Sequence, residues 1–410
     1  MIVAGVMSGT SADGINVALV RMHTERPVWS EHPCPLPLTL PSDPRKRGTH
    51  KNRSDKFQLI GHAEYSYPKR VRAAVLASMN ASRASVADLA RLNFLLGELY
   101  ADAVLATQRQ FRVKADLIGC HGQTLYHQGE PARFLGRKLA ATWQTGEPAI
   151  IAARVGTPVV SDFRPADLAT GGKGAPLVPF LDYLLFRDTD MGRIVQNIGG
   201  IANLTVIPAG ATPRDVIAFD TGPGNMVIDA VTDYLFHQPF DRGGRIAASG
   251  KVQDKVIHKI LQRDFFRKAP PKTAGREEFG RDFVREFLQA CGRRPKQDIV
   301  ATATALTAKS IADAIRRYAT QNPTRKQGFH EMILSGGGAK NSTLISMLTS
   351  ELSSLGLRLR FSDEFGLPSA AKEAVAFAVL AYETLHRRAS NVPSATGAKR
   401  PAILGKISYP

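Results

Sequence analysis

The sequence predicts an α/β protein of two domains, because strand-like apolar runs alternate with segments of helical period along nearly the whole chain. Its 410 residues exceed what one hydrophobic core usually supports, so two domains are expected. Two apolar hairpins with polar, glycine-containing turns, within 2–20 and 193–207, lie about 190 residues apart. Although the two hairpins barely match in sequence, they predict two related halves around one cleft.

The first hairpin joins two β-branched apolar runs through a turn of Ser, Gly, Thr, Asp and Asn. Glycine lets backbone amides approach an anion closely, and clustered amides form a phosphate cradle. Asp13 and Asn16 add oxygen atoms of the kind that Mg²⁺ prefers. By itself, however, such a segment is more often a tight turn that binds nothing. The rest of the chain must decide between these interpretations.

Three further elements are predicted before the second hairpin. Leucines spaced by three or four from Leu89 predict a helix that Ser85 can cap. A short buried strand over 115–120 ends at His121, and a strand over 157–164 contains Asp162. Ligands of open α/β sheets bind beyond the carboxyl ends of strands, so both endings are candidate sites. A satisfied core histidine and a substrate contact are equally compatible with His121.

The second half repeats the logic of the first. The hairpin at 193–207 has a Gly-Gly turn flanked by Asn, and the strand over 216–220 leads into an acidic, glycine-rich loop. A strand over 332–334 meets a triple glycine, after which Asn341 and Ser342 can cap a helix. The alanine-rich segment 372–381 predicts a tightly packed helix.

Composition limits the function classes. A hydrophobic content of 43% with 22% charged residues is typical of a soluble globular protein, and no apolar run approaches membrane-spanning length. The N-terminus lacks the basic segment of a signal peptide. Three scattered cysteines without CxxC spacing fit a reducing cytoplasm. The net charge of +18 is dispersed, and its densest run, in the loop 44–56, favours a solvated surface loop over a nucleic-acid site.

Several motifs spread over the whole chain resemble the anhydro-N-acetylmuramic acid kinases, and levoglucosan kinases share most of them. The motifs appear in the family's order, which makes the resemblance far more specific than any single glycine motif. In this sequence they are 9–14 (GTSADG), 120–124 (CHGQT), 161–164 (SDFR), 197–203 (NIGGIAN), 219–225 (FDTGPGN), 272–277 (KTAGRE), 335–338 (SGGG), 372–374 (KEA) and 396–400 (TGAKR).

The resemblance implies the fold of the actin-like, Hsp70-like and sugar-kinase ATPases. In that fold, two domains are each built around a mixed sheet, and ATP and substrate bind in the cleft between them. The implied domains are 1–190, with the C-terminal segment 385–410 packing back onto it, and 191–384. A cytoplasmic location and a homodimer are implied as well, with no nucleic-acid or membrane partner.

The resemblance also implies the reaction and the ATP-binding residues. ATP phosphorylates O6 of a 1,6-anhydro sugar while water opens the anhydro bridge at C1, which gives N-acetylmuramic acid 6-phosphate. The implied ATP-binding residues of the first half are Gly9, Thr10, Ser11, Ala12, Asp13, Gly14, Ile15 and Asn16. Those of the second half are Asn197, Gly199, Gly200, Asn203, Gly222, Gly224, Gly336, Gly337 and Gly338.

The implied catalytic residues are Asp162, Arg164 and Glu373. Opening the bridge needs a general base beside C1, and Asp162 matches the family's catalytic aspartate. Arg164 is placed to tune its charge or to contact phosphate. Candidate Mg²⁺ ligands are Asp13, Asp220 and Glu373. As structural alternatives, Asp162 is a helix cap and Glu373 a charge favoured by a helix dipole.

Departures from the family pattern and alternatives stay open. Asn16 stands where the family usually has Asp, which removes a charge, and Gly243 stands where a further acidic residue is usual. Weaker candidates for sugar contacts are Gln123, Glu147 and Lys173. A levoglucosan kinase is the alternative within the same chemistry. A non-catalytic, nucleotide-gated binding protein of the actin and Hsp70 type is the alternative from another class.

Overall fold

The structure, a computed structural model, describes residues 1–9, 12–23, 57–320 and 328–410. Two of the predicted phosphate-binding residues, Thr10 and Ser11, and the basic segment 44–56 lie outside these ranges.

The described residues form twelve strands, which give the two halves of the chain their frames. They are β1 (Ile2–Ser8), β2 (Gly14–Met22), β3 (Phe57–Ser66), β4 (Leu117–Phe134), β5 (Arg137–Thr145), β6 (Val159–Ser161), β7 (Gly192–Ile198), β8 (Ala202–Ile207), β9 (Ile217–Gly222), β10 (Phe329–Ser335), β11 (Arg358–Phe361) and β12 (Lys406–Ser408).

The same ranges contain fifteen α-helices, and none of them combines the length and the apolar character that crossing a bilayer needs. They are α1 (Lys69–Ser78), α2 (Val86–Phe111), α3 (Pro148–Val155), α4 (Phe163–Ala169), α5 (Pro179–Phe186), α6 (Met226–Phe236), α7 (Arg245–Ala248), α8 (Asp254–Leu261), α9 (Asp264–Arg267), α10 (Arg276–Phe279), α11 (Arg281–Cys291), α12 (Lys296–Ile315), α13 (Ser342–Leu352), α14 (Lys372–Leu385) and α15 (Pro393–Thr396).

The chain divides into two compact units. Unit 1 comprises 1–175, 371–391 and 398–410, and unit 2 comprises 176–370 and 392–397. These bounds differ from the predicted domains, because α14 packs on β1 and β4 and therefore belongs to unit 1. Each unit has its own sheet: β12-β6-β4-β1-β2-β3 in unit 1, with β5 attached to β4, and β11-β10-β7-β8-β9 in unit 2.

The two sheets share one topology. In each, a three-stranded antiparallel meander (β1-β2-β3 or β7-β8-β9) continues through its first strand into two parallel strands (β4-β6 or β10-β11). Both sheets are therefore mixed, as the resemblance implied. The prediction of an α/β chain built from two related halves is confirmed.

In unit 1, α14 packs so closely on the sheet that two glycines of the strands leave no room for a side chain. A Cβ on Gly5 of β1 would lie 1.8 Å from the carbonyl oxygen of Ala374, and one on Gly119 of β4 would lie 2.2 Å from that of Phe377. Close packing of the predicted alanine-rich helix is confirmed, and it fixes the helix that begins with Lys372 and Glu373.

Two predicted strands near the site differ in extent. The strand expected to end at His121 runs on to Phe134 as a ribbon with β5. Gly122 takes a φ of +76° where β4 bulges against β1 between Cys120 and Gln123, and the strand continues past the bulge. The strand expected over 157–164 is only Val159–Ser161, because α4 begins at Phe163.

Candidate active site

The first hairpin is tied to its surroundings by its polar side chains. Asp13 is exposed, and both hydrogen bonds from Arg72 go to its Oδ1, at 3.0 and 3.2 Å. Asn16, in register with Met7 of β1, accepts a hydrogen bond at its Oδ1 from His62 Nε2, at 3.1 Å. Burial lowers the pKa of His62, so the imidazole that faces Asn16 is neutral at neutral pH.

Asp162 lies between β6 and α4 in the left-handed region, with φ 54° and ψ 46°. An aspartate there costs about 1 kcal/mol, and such strain is concentrated at functional sites. Its carboxylate accepts no hydrogen bond from the first turn of α4, so capping does not account for it. Oδ2 pairs instead with Lys406 Nζ at 2.9 Å, and 35% of its side chain is exposed. A strained, solvent-accessible carboxylate at a strand end is suited to take a proton from water.

Arg164 determines the tautomer and the protonation of the His121 ring. The guanidinium donates from Nε to His121 Nε2 at 3.0 Å and from Nη1 to the carbonyl of Gly174 at 3.0 Å. Because Nε2 accepts, the ring proton is on Nδ1, which donates to the Gly122 carbonyl at 2.8 Å. Burial, reinforced by Arg164, holds the pKa of His121 well below its usual range. Of the two interpretations of His121, the satisfied core histidine fits its 3% exposure.

Glu373 and Arg164 act on each other electrostatically. Glu373 is an exposed residue in the first turn of α14, yet the protein packed around it raises the pKa of its carboxyl, an effect that Arg164 and Lys372 oppose. Burial lowers the pKa of Arg164 to about 10, and Glu373 and Asp167 raise it. Unit 1 thus brings the acidic Glu373 within electrostatic reach of the basic Arg164, which lies two residues after Asp162.

The three weaker sugar-contact candidates all have partners within unit 1. Glu147 caps α3 by accepting from Ala149 N at 3.2 Å, and it also accepts from Asn93 at 3.0 Å. Lys173 Nζ pairs with Glu130 at 2.7 Å. The fully buried Gln123 donates to the Gly9 carbonyl at 3.2 Å. The side chain of Gln123 therefore supports the first hairpin from the protein interior.

In unit 2, strand register gathers candidates that are far apart in sequence. Ser335, Asn197, Asn203 and Asp220 are successive partners across β10, β7, β8 and β9. Ser335 Oγ donates to Asn197 Oδ1 at 3.3 Å. Their neighbours along each strand belong to the apolar core, so the polar row occupies the opposite face of the sheet.

The glycine candidates of unit 2 divide into two groups. A Cβ on Gly222, Gly224, Gly336 or Gly338 would lie within 2.3–2.6 Å of other atoms of the unit, so the protein's own packing requires these glycines. Gly199, Gly200 and Gly337 have room for a Cβ, with nearest atoms 3.5–3.6 Å away and no positive φ. Neither packing within the unit nor backbone conformation explains these three glycines. They leave an open surface where a ligand can approach the backbone.

Asp220 is the acidic member of the polar row. Burial raises the pKa of its carboxyl to about 7, an effect that a hydrogen bond from Ala274 N, at 2.7 Å, and the charge of Lys272 oppose. Lys272 is itself buried, donates to the Phe265 carbonyl at 3.0 Å and lies 4.7 Å from the Phe265 ring centroid. Burial lowers the pKa of Lys272 to about 8. The segment 272–274 is thus anchored against β9 and holds Asp220.

The residues fit a metal that arrives with a nucleotide. Within the described ranges, no three His, Cys, Asp or Glu side chains gather as a metal site. Mg²⁺ bound to nucleotide takes phosphate oxygens, waters and one or two carboxylates, so a complete protein cage is not needed. In unit 2, Asp220 would offer one carboxylate beside the amide oxygens of Asn197 and Asn203. In unit 1, Asp13 and Glu373 are the exposed candidates.

A groove of about 680 Å³ runs along unit 2 beside the triple glycine. Ala339 and Lys340, which follow Gly338, form its start, and hydroxyl side chains of α13 and the ring of Phe361 continue it. Asn341 caps α13 by accepting from Leu344 N at 3.0 Å, as predicted.

Comparisons with known proteins cover essentially the whole chain. The family model described as anhydro-N-acetylmuramic acid kinase matches residues 49–410. An anhydro-N-acetylmuramic acid kinase of Bacillus cereus is 40% identical over 413 residues, with 100% of both chains covered. A protein of the same name from Caldanaerobacter subterraneus subsp. tengcongensis is 40% identical over 414 residues, covering 99% of this chain and 96% of its own.

Solved structures resemble the chain more distantly. The activator of the 2-hydroxyisocaproyl-CoA dehydratase from Clostridium difficile, with bound ADPNP, aligns with a TM-score of 0.42 at 12% identity and covers 93% of this chain and 95% of its own. The ROK hexokinase from Thermus thermophilus aligns with a TM-score of 0.40 at 12% identity and covers 94% and 99%.

Proposed function

The chain belongs to the anhydro-N-acetylmuramic acid kinase family, and we propose that Asp162, Arg164 and Glu373 carry out this ATP-dependent reaction. The substrate is 1,6-anhydro-N-acetylmuramic acid, and the product is N-acetylmuramic acid 6-phosphate, as in cell-wall recycling. The observation that carries the proposal is the conformation of Asp162, left-handed, uncapped and open to solvent at the end of β6.

Asp162 acts as the general base. Water attacks C1, its proton passes to the Asp162 carboxylate, and the C1–O6 bond breaks with its electron pair on O6. O6 then bonds the γ-phosphorus of ATP as the bond to the ADP oxygen breaks. A base contributes about 10²–10⁴-fold to such a step. Lys406, whose Nζ lies 2.9 Å from Asp162 Oδ2, holds the carboxylate in place.

Arg164 supplies positive charge near the reacting groups. Two of its donors are committed to His121 and Gly174, which fixes the plane of the guanidinium. A fixed cation stabilises charge on a transferring phosphoryl group without reorganising at the moment of reaction. Glu373 is proposed to hold Mg²⁺ or its waters from the start of α14.

ATP binding is proposed to use the glycine loops of unit 2. The open backbone at Gly199, Gly200 and Gly337 supports close approach of the phosphates, and the adjoining groove has room for the adenosine. Asp220 is proposed as a carboxylate for Mg²⁺, which when bound neutralises phosphate charge and favours the ionised carboxylate. Asp13 is the corresponding candidate in unit 1.

The decisive experiment measures ATP consumption with 1,6-anhydro-N-acetylmuramic acid and with levoglucosan. Asp162→Asn should lower turnover at least about 100-fold, because an amide takes no proton. Asp102→Asn is the matched control, since Asp102 is an exposed carboxylate of unit 1 paired with Arg154 at 2.7 Å. Activity that survives in Asp162→Asn would refute the assignment of Asp162 as the general base. Turnover of levoglucosan alone would overturn the substrate, and the absence of any turnover would favour a non-catalytic binding protein.

A homodimer is proposed from the ribbon of β4 and β5. Five apolar side chains there are 38–88% exposed, and the register places four of them on one face. They are Tyr126, Phe134, Leu135, Leu139 and Trp143. Such a face favours association with a second copy. Sedimentation should show that the wild-type protein is a dimer and that Leu139→Asp dissociates it. A wild-type protein that sediments as a monomer would refute the proposed dimer.

A cytoplasmic location is proposed from the cysteines of the described ranges. Cys120 and Cys291 are buried free thiols rather than partners in a disulfide, which suits a reducing compartment. Fractionation of cells that express the full chain tests this, and recovery outside the cytoplasm would contradict it.

A further inference from the structure

Four buried polar side chains meet beneath the first hairpin. Ser8 of β1, Tyr67 before α1, Tyr100 of α2 and Gln123 of β4 are at most 6% exposed. Burial raises the pKa of Tyr67 to about 12 and the pKa of Tyr100 well above its usual value. Both phenol groups therefore stay protonated and can donate hydrogen bonds. Four polar groups from four separate elements are costly to bury unless all of them are bonded.

The hydrogen bonds run in one direction, toward the hairpin. Tyr67 donates to Ser8 Oγ at 2.9 Å, so Tyr100, 2.9 Å from the Tyr67 hydroxyl, donates to Tyr67. The single hydroxyl hydrogen of Ser8 is shared between the Gly14 carbonyl, at 2.9 Å, and Gln123 Oε1, at 2.8 Å.

Gln123 closes the network on the other side of the turn. Its Nε2 donates to the Gly9 carbonyl at 3.2 Å, which leaves its Oε1 toward Ser8. Ala12 N also donates to the Gly9 carbonyl, at 3.1 Å, and Tyr67 N donates to the Asp13 carbonyl at 3.1 Å. Donors from the protein interior therefore hold the carbonyls on both sides of the turn, Gly9 and Gly14, and that of Asp13.

We propose that Ser8, Tyr67, Tyr100 and Gln123 are positioning residues that prepare this hairpin for the phosphates of ATP. Carbonyl oxygens repel an anion. A hairpin whose carbonyls accept hydrogen bonds from the protein interior therefore presents a less negative surface to phosphate. The inference rests on the proposed function, because it takes ATP as the ligand. It adds a network that acts on ATP affinity without touching the sugar.

The test compares two tyrosines that both bond hydroxyl groups. Tyr67→Phe breaks the network, whereas Tyr65→Phe removes a 3.0 Å bond to Thr107 of α2 that does not reach the hairpin. Tyr67→Phe should weaken binding of a non-hydrolysable ATP analogue and raise KM for ATP about tenfold, leaving KM for the sugar unchanged. Tyr65→Phe should leave ATP affinity within about twofold. Thermal midpoints of both variants report any shared loss of stability.

The outcomes separate the inference from the proposed function. Equal ATP affinities in Tyr67→Phe and Tyr65→Phe, or equal changes in both KM values of Tyr67→Phe, would overturn the positioning role. Tyr100→Phe removes only the outermost donor, so it should fold and raise KM for ATP by less than Tyr67→Phe does. If Tyr67→Phe does not fold, an unchanged KM in Tyr100→Phe would overturn the inference. A wild-type protein that does not consume ATP would instead refute the proposed function.

Discussion

The buried carboxyl of Asp220 predicts that the protein loses folding stability as the pH rises. The proposed role of Asp220 as a Mg²⁺ ligand accounts for a residue that destabilises the fold in this way. Burial raises the pKa of its carboxyl from 3.8 to about 7, so between these values the folded chain binds more protons than the unfolded chain. Stability from the protonated carboxyl is complete below about pH 4 and is lost as pH rises through 7. At 1.36 kcal/mol per pKa unit, the loss is about 4 kcal/mol for a fully buried group. The partial exposure of Asp220 reduces it to about 2 kcal/mol.

Asp220→Asn should therefore stabilise unit 2 at alkaline pH. The amide oxygen can still accept from Ala274 N, but no charge is buried. Unit 2 contains about 200 residues, for which 1 kcal/mol shifts the midpoint by about 2–4 °C. We expect the variant to unfold about 4–8 °C above wild type at pH 8, and by much less at pH 5, in a metal-free buffer with chelator. Differential scanning calorimetry measures both.

The control is Asp254→Asn, which neutralises an exposed carboxylate of the same unit whose partner is Lys309. Its midpoint should differ from wild type by the same small amount at both pH values. Asp220→Asn should also lose turnover with ATP, since the proposed Mg²⁺ ligand is gone. Wild type and Asp220→Asn melting in parallel from pH 5 to pH 8 would refute the reasoning.

Three further predictions concern unit 1. Gly5→Ala should destabilise it by about 1–3 kcal/mol or more in urea titrations, because the new Cβ would lie 1.8 Å from the Ala374 carbonyl oxygen; an unchanged midpoint would contradict the packing. Glu147→Ala should cost about 1 kcal/mol of stability through the lost cap of α3 while kcat stays unchanged, and a lost kcat would make Glu147 functional. Lys406→Met should lower kcat/KM a few-fold with little change in thermal midpoint, since Lys406 is 71% exposed, and Lys406→Arg should restore it; equal activity would exclude a role at Asp162.

The sequence predicted best where local chemistry decides the structure. Ser85 caps α2 at Asp88 N, and the hairpin at 193–207 forms β7 and β8, because caps and alternating apolar residues act over a few positions. The predicted extent of β4 was wrong, because the strand passes a bulge against β1 at Gly122 and continues in a ladder with β5. Strand continuation depends on β5, which the preceding residues do not reveal.

The site was predicted in its members but not in its contacts. Asp162 and Arg164 stood out by motif, whereas the partnership of Asp162 with Lys406 joins residues 244 positions apart. Nothing in the sequence around Tyr67 indicates a hydrogen bond to Ser8. Such pairs arise only when the sheet assembles. The conformation of Asp162 was equally hidden, because a left-handed aspartate leaves no mark on the residues beside it.

The two hairpins of the duplicated sheets meet the same electrostatic requirement by different means. In unit 2, backbone amides at the start of α6 hold the carbonyls: Asn225 N donates to Gly199 O at 2.8 Å and Met226 N to Gly200 O at 3.0 Å. In unit 1, the buried side chains of Gln123 and Ser8 donate to the Gly9 and Gly14 carbonyls, and Tyr67 N, two residues before α1, donates to the Asp13 carbonyl. Bonding of these carbonyls makes the surface that each hairpin presents to an anion less negative. The recurrence of bonded carbonyls in two hairpins that barely match in sequence supports the proposal that both hairpins bind phosphate.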